Sequence, residues 1–139
     1  MPRIYHLSKP AFEQGSYGIK VTFKDLYKTV IPSANIKTLY WWLTDFGGVV
    51  INNRSEQVVS SIENPYTVVL NGADLQILDK SLGSEKRVVT LKGTYDSDLG
   101  TNLSITYAVS FDLINLLVIA ADLYISTVDN VFVGEFVYV

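Results

Sequence analysis

The sequence predicts an all-β protein folded as an antiparallel β-sandwich. Apolar and polar residues alternate along most of the chain, as in residues 16–23, where Tyr17, Ile19 and Val21 fall on one face of a strand. Turn signals containing glycine, asparagine, aspartate or proline separate these runs. No stretch before residue 112 has a convincing helical period. Short strands with turn signals about every 8–12 residues are typical of a sandwich.

Each predicted strand lies on a run of alternating or β-branched residues. The predicted strands are 16–23, 36–43, 49–52, 57–62, 66–70, 86–95 and 103–111. Pro32 and the Asn64-Pro65 pair mark breaks between strands. Residues 71–75 are long enough only for a turn or one helical turn, and 96–100 form a glycine turn.

The glycine-containing run at 44–48 predicts a tight turn. It would join residues 36–43 and 49–52 into a hairpin. A tight β-connection needs a residue in the left-handed region, so we expect Gly47 or Gly48 to have a positive φ.

The C-terminal part of the chain is less regular. Residues 112–123 fit either a strand or a short helix, and their β-branched residues favour the strand. Residues 131–139 are apolar on both faces, with Glu135 their only charge. Such a segment is expected at the centre of a sheet or against another chain. We therefore divide the chain into an N-terminal arm (1–15), a sandwich (16–112) and a C-terminal extension (113–139) that packs on the sandwich or on a neighbouring subunit.

Composition narrows the classes of function. The chain has 139 residues, the size of one domain, with no cysteine and one histidine, His6. Disulfides, thiolate zinc sites and a cysteine nucleophile are excluded, and a histidine-based triad is not expected. With 11 basic and 14 acidic residues and no basic block, nucleic-acid binding is not expected either. We expect His6 to be a surface residue with no nearby carboxylate.

Membrane insertion is also not expected. The longest apolar run, 116–121, has six residues, whereas a spanning helix needs about 20. The first ten residues are polar and predict no signal peptide. Few charges (18%) beside 48% hydrophobic residues favour a subunit with buried interfaces, the alternative being a well-packed monomer.

One short motif has the composition of a calcium loop. Asp96, Asp98 and Asn102 lie in D-x-D-x-G-x-N, which offers alternating oxygen ligands around a glycine. The bidentate glutamate that closes such a shell is missing, because Tyr107 stands at the twelfth position. We therefore expect a hairpin turn capped by Asp96 and Asp98, and no metal.

Aromatic residues supply the candidate partner contacts. In the triplet Tyr40-Trp41-Trp42, consecutive tryptophans point to opposite faces, so one belongs to the core and the other to an edge, loop or partner. The candidate contact residues are Trp41, Tyr5, Phe132, Phe136 and Tyr138. We expect no catalytic residue and no cofactor.

Three segments, taken in order, resemble a known family. They are W-L-T-D at 42–45 with G-V-V-I-N-N-R at 48–54, V-L-N-G-A-D-L at 69–75, and R-V-V-T-L-K-G-T-Y-D-S-D-L-G at 87–100. With the strand at 20–23, they are similar to small Ig-like structural proteins of tailed bacteriophages, over about residues 17–111.

The resemblance implies an Ig-like sandwich that serves as a non-enzymatic virion component, in the tail, neck or baseplate region. Its expected partners are other virion proteins and copies of itself, and it would be assembled in the host cytoplasm. The alternative is an Ig-like binding module that recognises a glycan or a protein partner on the host surface.

Overall fold

The structure is a computed structural model that describes residues 4–25 and 27–116, together with the backbone of residues 133–138. Its elements are almost entirely strands, which confirms the predicted all-β class. The strands are β1 (Ile4–His6), β2 (Ala11–Phe12), β3 (Ser16–Thr22), β4 (Ile36–Thr44), β5 (Gln57–Val58), β6 (Tyr66–Asn71), β7 (Ser84–Ser97), β8 (Gly100–Ile114) and β9 (Val133–Tyr138). Single 3₁₀ turns lie at Ser33–Asn35 and Gly72–Leu75.

The larger sheet is built on the two longest strands. Its order is β1-β8-β7-β4-β5, and β2 also pairs with β8. The β4–β7 and β7–β8 ladders are antiparallel, whereas β1 and β2 run parallel to β8. The segment assigned to an N-terminal arm thus contributes two short strands to this sheet.

The smaller sheet has the order β6-β3-β9 among the described strands. β3 pairs antiparallel with β6 and parallel with β9. β6 enters this sheet at Asn64, whose side chain accepts the Phe23 N–H at 3.0 Å and donates to the Ile31 carbonyl at 2.6 Å. Asn64 therefore joins the start of β6 to the chain that follows β3.

The inner faces of the two sheets share one core. Tyr17, Ile19 and Val21 of β3 are fully buried, as the alternation predicts. The Tyr17 ring meets Phe111 of the other sheet, with ring centroids 4.8 Å apart and planes tilted by 33°. Tilted aromatic contacts of this kind stabilise a fold beyond their buried area. The remaining core side chains come from the inner positions of the longer strands, chiefly Leu39, Leu43, Leu70, Val89, Leu91 and Val109.

The predicted hairpin between 36–43 and 49–52 forms only next to its turn, where Thr44 makes an antiparallel bridge with Val50 and the Ile51 N–H donates to the Leu43 carbonyl at 2.9 Å. The longer ladders of β4 are with β7 on one side and, at its centre, with β5 on the other. The turn itself forms: Asp45 N–H donates to the Val49 carbonyl at 2.9 Å, and Gly48 has φ +93°, as expected. The returning strand stops after a single bridge at Val50, because Asn52 and Asn53 both have positive φ (53° and 56°) and cannot continue an extended strand.

Most of the other predicted strands are present in the structure, and one is shorter than predicted. Strands are confirmed over 66–70, 86–95 and 103–111, and residues 72–75 form the single helical turn. The run 57–62 is a strand only at Gln57–Val58. β8 extends to Ile114, and the choice between strand and helix for 112–123 lies mostly outside the described residues.

The C-terminal segment contains the predicted strand, β9. Among the described strands, β9 has one neighbour, β3. Its register shifts between Gly18 and Lys20 of β3, which marks a β-bulge or irregularity. Whether β9 has a second neighbour, as the expectation of a sheet centre or an intersubunit contact requires, stays a prediction.

Candidate interaction surfaces

The two tryptophans of the aromatic triplet on β4 point to opposite faces, as predicted. However, Trp41, the candidate partner contact, is the one that faces the core. Trp41 is only 8% exposed and lies in the core, with the Arg54 guanidinium 5.7 Å from its ring centroid. Trp41 lies on the same inner face of β4 as Leu39 and Leu43. It is therefore a core residue and not a partner contact. Trp42 is the partly exposed tryptophan, with Lys92 Nζ 5.6 Å from its ring centroid.

The other predicted contacts lie at the two ends of the chain. Tyr5 is 41% exposed on β1, at the edge of the larger sheet. The backbones of Phe136 and Tyr138 pair with Lys20 and Thr22 of β3. Phe132 lies outside the described residues. The structure thus leaves Tyr5 as an accessible aromatic, while the contacts of the C-terminal aromatics stay a prediction.

His6 has neighbours that its sequence position does not reveal. Its Nδ1 lies 2.9 Å from Ser110 Oγ, and its Nε2 lies 3.5 Å from Asp112 Oδ2. Asp112 also accepts a hydrogen bond from Lys86 Nζ at 2.9 Å. The expectation that His6 has no nearby carboxylate is therefore wrong. The reason is topological, since the parallel β1–β8 ladder places His6 opposite Ser110.

Ser110, His6 and Asp112 together connect strand β1 to strand β8. Ser110 is only 2% exposed and pairs with His6 on one side and Val88 on the other. Its backbone is thus committed to two ladders, and the Ser110 carbonyl accepts the Leu7 N–H at 2.8 Å. A nucleophilic serine needs an accessible oxygen, whereas Ser110 is almost completely buried. What the geometry supports is attachment of β1 to β8.

A second polar cluster fixes the loop between β4 and β5. Asp74 is fully buried and accepts hydrogen bonds from Asn52 Nδ2 at 2.8 Å, Arg54 Nε at 2.8 Å and Asn71 N at 3.2 Å. Burial alone would raise the pKa of Asp74, but these hydrogen bonds outweigh it and hold the pKa below its usual value. The same contact raises the pKa of Arg54. The cluster also places Arg54 over Trp41.

A third polar cluster lies at the start of β7. Arg87 is 2% exposed, and its Nη2 donates to Glu85 Oε1 at 2.7 Å and to the Gln76 carbonyl at 3.1 Å. Burial opposes ionisation of Glu85, but hydrogen bonds from the Leu78 and Asp79 N–H groups and from Arg87 lower its pKa. The alternation along β7 places Arg87 on the same inner face as Val89. The burial of Arg87 could therefore have been predicted from the sequence.

The acidic loop between β7 and β8 is a hairpin turn, as predicted. Asp96 Oδ1 accepts the Asn102 N–H at 2.8 Å, and Asn102 has φ +52°. The second cap comes from the Ser97 hydroxyl, which accepts the Leu99 N–H at 3.1 Å, rather than from Asp98. Lys37 Nζ lies 3.5 Å from Asp96 Oδ2, which supplies a cation from the protein itself.

The described part of the chain contains no group of three or more histidine, aspartate or glutamate side chains arranged to hold a metal ion. Within that same part, no helix has the length and hydrophobicity needed to cross a membrane. Comparisons with protein-family models and with curated proteins find no match for this chain.

Proposed function

We propose that this chain is a non-enzymatic structural component of a tailed-phage virion. It belongs to the tail, neck or baseplate region and associates through β-rich contacts with copies of itself and with other virion proteins. This proposal joins the sequence resemblance over residues 17–111 to the sheet edges that the fold presents.

The strand order supports an Ig-like sandwich as the scaffold. The neighbours β4, β7 and β8 correspond to strands C, F and G of that fold, and β3 and β6 correspond to strands B and E. β9 takes the place beside strand B that strand A occupies, but it runs parallel to β3. This departure falls in the C-terminal extension, outside the segments that carry the resemblance.

The observation that carries the proposal is the position of β9. Its sequence is apolar on both faces apart from Glu135, yet among the described strands it pairs only with β3, at the edge of the smaller sheet. An apolar strand at a sheet edge promotes pairing with other chains unless something covers it. In a virion, a neighbouring subunit covers such a strand, and β-strand addition is a common way to join subunits.

Particle composition tests the proposal. Mass spectrometry of phage particles purified from cells that carry this gene should find the chain at a fixed ratio to the other virion proteins. A chain that is abundant in the lysate but removed from the particles by gradient purification would contradict the proposal.

One cavity favours the alternative of a binding module. It has a volume of about 240 Å³ and lies where the loop after β3 meets the β7–β8 turn. Its lining combines Tyr27, which is 74% exposed, with Asp25, Asn35 and Asp98. An exposed aromatic ring beside carboxylate and amide groups suits a polyhydroxylated ligand such as a glycan. Glycan-array binding that Tyr27→Ala abolishes and Trp42→Ala leaves intact would establish this function.

A further inference from the structure

The edges of the two sheets differ in how they are protected. Native proteins protect exposed edges with short strands, charges, prolines or bulges. β1, β2 and β5 have three, two and two residues. β9 carries Glu135 and a register shift against β3. Each of these edges therefore has at least one of the usual protections.

In the part of the chain that the structure describes, β6 has none of these protections. Its six residues, Tyr-Thr-Val-Val-Leu-Asn, contain no charge and no proline, and they pair with β3 one to one without a shift. The outward side chains at Thr67, Val69 and Asn71 are exposed, and Val69 is 60% exposed. Within the described residues, β3 is the only strand that pairs with β6.

The backbone direction identifies which groups the edge offers. Gly72 N–H donates to the Gly15 carbonyl, so the even-numbered residues of β6 direct their backbone groups towards β3. Thr67 and Val69 therefore direct theirs away from β3. Both ends of the strand are fixed, by Asn64 before it and by the hydrogen bond from Asn71 N–H to Asp74 after it. The edge is thus preorganised for strand addition, which lowers the entropic cost of binding.

The sequence of β6 is complementary to itself. In an antiparallel pairing about a two-fold axis at Val69, Val69 lies opposite Val69 and Thr67 lies opposite Asn71. Both faces are then matched, because Val68 lies opposite Leu70 on the core side. The Val69 groups would exchange hydrogen bonds, and each Thr67 N–H would reach the Asn71 carbonyl of the other copy. No like charges meet in this register.

We infer that β6 is a homodimerisation edge at which two copies pair antiparallel about Val69, forming one continuous sheet through both smaller sheets. This inference rests on the proposed function only in identifying a copy of the chain as a partner. A two-fold contact of this kind is closed, so it yields a dimer that can serve as the unit of further assembly.

Substitution of the central residue tests the contact. Val69→Lys places two like charges opposite each other at the axis and should weaken dimerisation by about tenfold or more in sedimentation equilibrium. Val58→Lys is the matched control, since Val58 is 70% exposed on β5 of the other sheet and should leave the mass unchanged. A dimer that Val69→Lys leaves intact, or a wild-type chain that stays monomeric, would overturn the inference.

A cross-link tests the register directly. The chain has no cysteine, so Val69→Cys supplies the sole thiol. Opposed residues in a hydrogen-bonded pair lie about 5.5 Å apart between Cα atoms, which suits a disulfide. Mild oxidation should give a covalent dimer with Val69→Cys and not with Val58→Cys. Equal cross-linking of both variants would overturn the register.

These results are separable from the proposed function. Failure of both β6 tests, together with a fixed ratio of the chain in purified particles, would remove the β6 contact and retain the virion role. A β6 dimer formed by a chain that is absent from the particles would retain the β6 contact and remove the virion role.

Discussion

Arg54 and Asp74 are joined by two hydrogen bonds, from Nε to Oδ1 at 2.8 Å and from Nη2 to Oδ2 at 3.3 Å. Asp74 is buried in the 3₁₀ turn after β6, whereas Arg54 lies before β5 and is partly exposed. The pair therefore connects the loop of one sheet with the end of β6 in the other. It also holds the Arg54 guanidinium over the ring of Trp41, a core residue.

Asp74→Ala should lower the free energy of unfolding by about 1–3 kcal/mol, because Asn52 and the Asn71 N–H lose a buried acceptor. Urea denaturation at neutral pH measures the change. Asp98→Ala, in the exposed β7–β8 turn, is the control and should stay within about 0.5 kcal/mol of wild type. Equal effects of the two substitutions would contradict a structural role for Asp74.

The Asp74 contribution should also depend on pH. Its folded-state pKa is depressed, so its stabilisation is fully present above the unfolded-state value of about 3.9. It is lost as the pH falls from there through the folded-state pKa. The stability difference between wild type and Asp74→Asn should therefore shrink below about pH 4. A difference that stays constant down to pH 2 would show that the carboxylate charge does not matter.

Gly93 is required by close packing of β7 on β4. A Cβ atom at this position would overlap the Thr38 carbonyl oxygen, which is backbone and cannot rotate away. Gly93→Ala should therefore destabilise the fold by about 1–3 kcal/mol, as overpacking does. Gly47→Ala is the control, because a Cβ there would meet only Asp45 Oδ1 at 3.4 Å. Thermal unfolding of both variants makes the comparison, and a tolerant position 93 would contradict the β4–β7 register.

Calcium should not stabilise the loop at 96–102. Asp96 already accepts the Asn102 N–H and lies near Lys37, and the distal glutamate of a calcium loop is missing. The melting temperature should therefore be the same with millimolar calcium and with a chelator. A calcium-dependent increase that Asp96→Ala abolishes would prove a metal site.

Truncation after Asp129 removes β9 and should either unfold the chain or block its assembly. Burial of four apolar side chains of this segment in the folded or assembled state contributes on the order of 6–12 kcal/mol before ordering costs, at about 1.5–3 kcal/mol each. Circular dichroism and light scattering separate the two outcomes. A truncated chain with an unchanged melting temperature and an unchanged mass would show that the C-terminal strand is dispensable.

Local pattern was enough to place the long strands. The alternation at 16–23 and 103–111 predicts strands, and both runs form them, as Ser16–Thr22 and within Gly100–Ile114. It overestimated the strand at 49–52, which pairs with β4 only at Val50 and Ile51 because Asn52 and Asn53 adopt positive φ. Apolar periodicity does not show where a strand ends when asparagine can enter the left-handed region.

Pairing between distant segments was beyond the reach of the sequence. His6 contacts Ser110 across a sequence separation of 104 residues. The two residues meet through a parallel ladder, which no local turn in the sequence predicts. Trp41 and Trp42 alternate as expected, but the parity alone does not say which faces the core. The burial of Leu39 and Leu43 on β4 settles that point. Candidate contacts read from residue type therefore need the sheet topology before they can be assigned.

The mass of the purified full-length chain in solution tests most directly whether it is an assembling subunit. Light scattering over a concentration series should give a mass that rises from 15.5 kDa to a defined multiple of it. A mass of 15.5 kDa at every concentration, with a cooperative unfolding transition, would describe a self-sufficient monomer and contradict a subunit that associates with copies of itself.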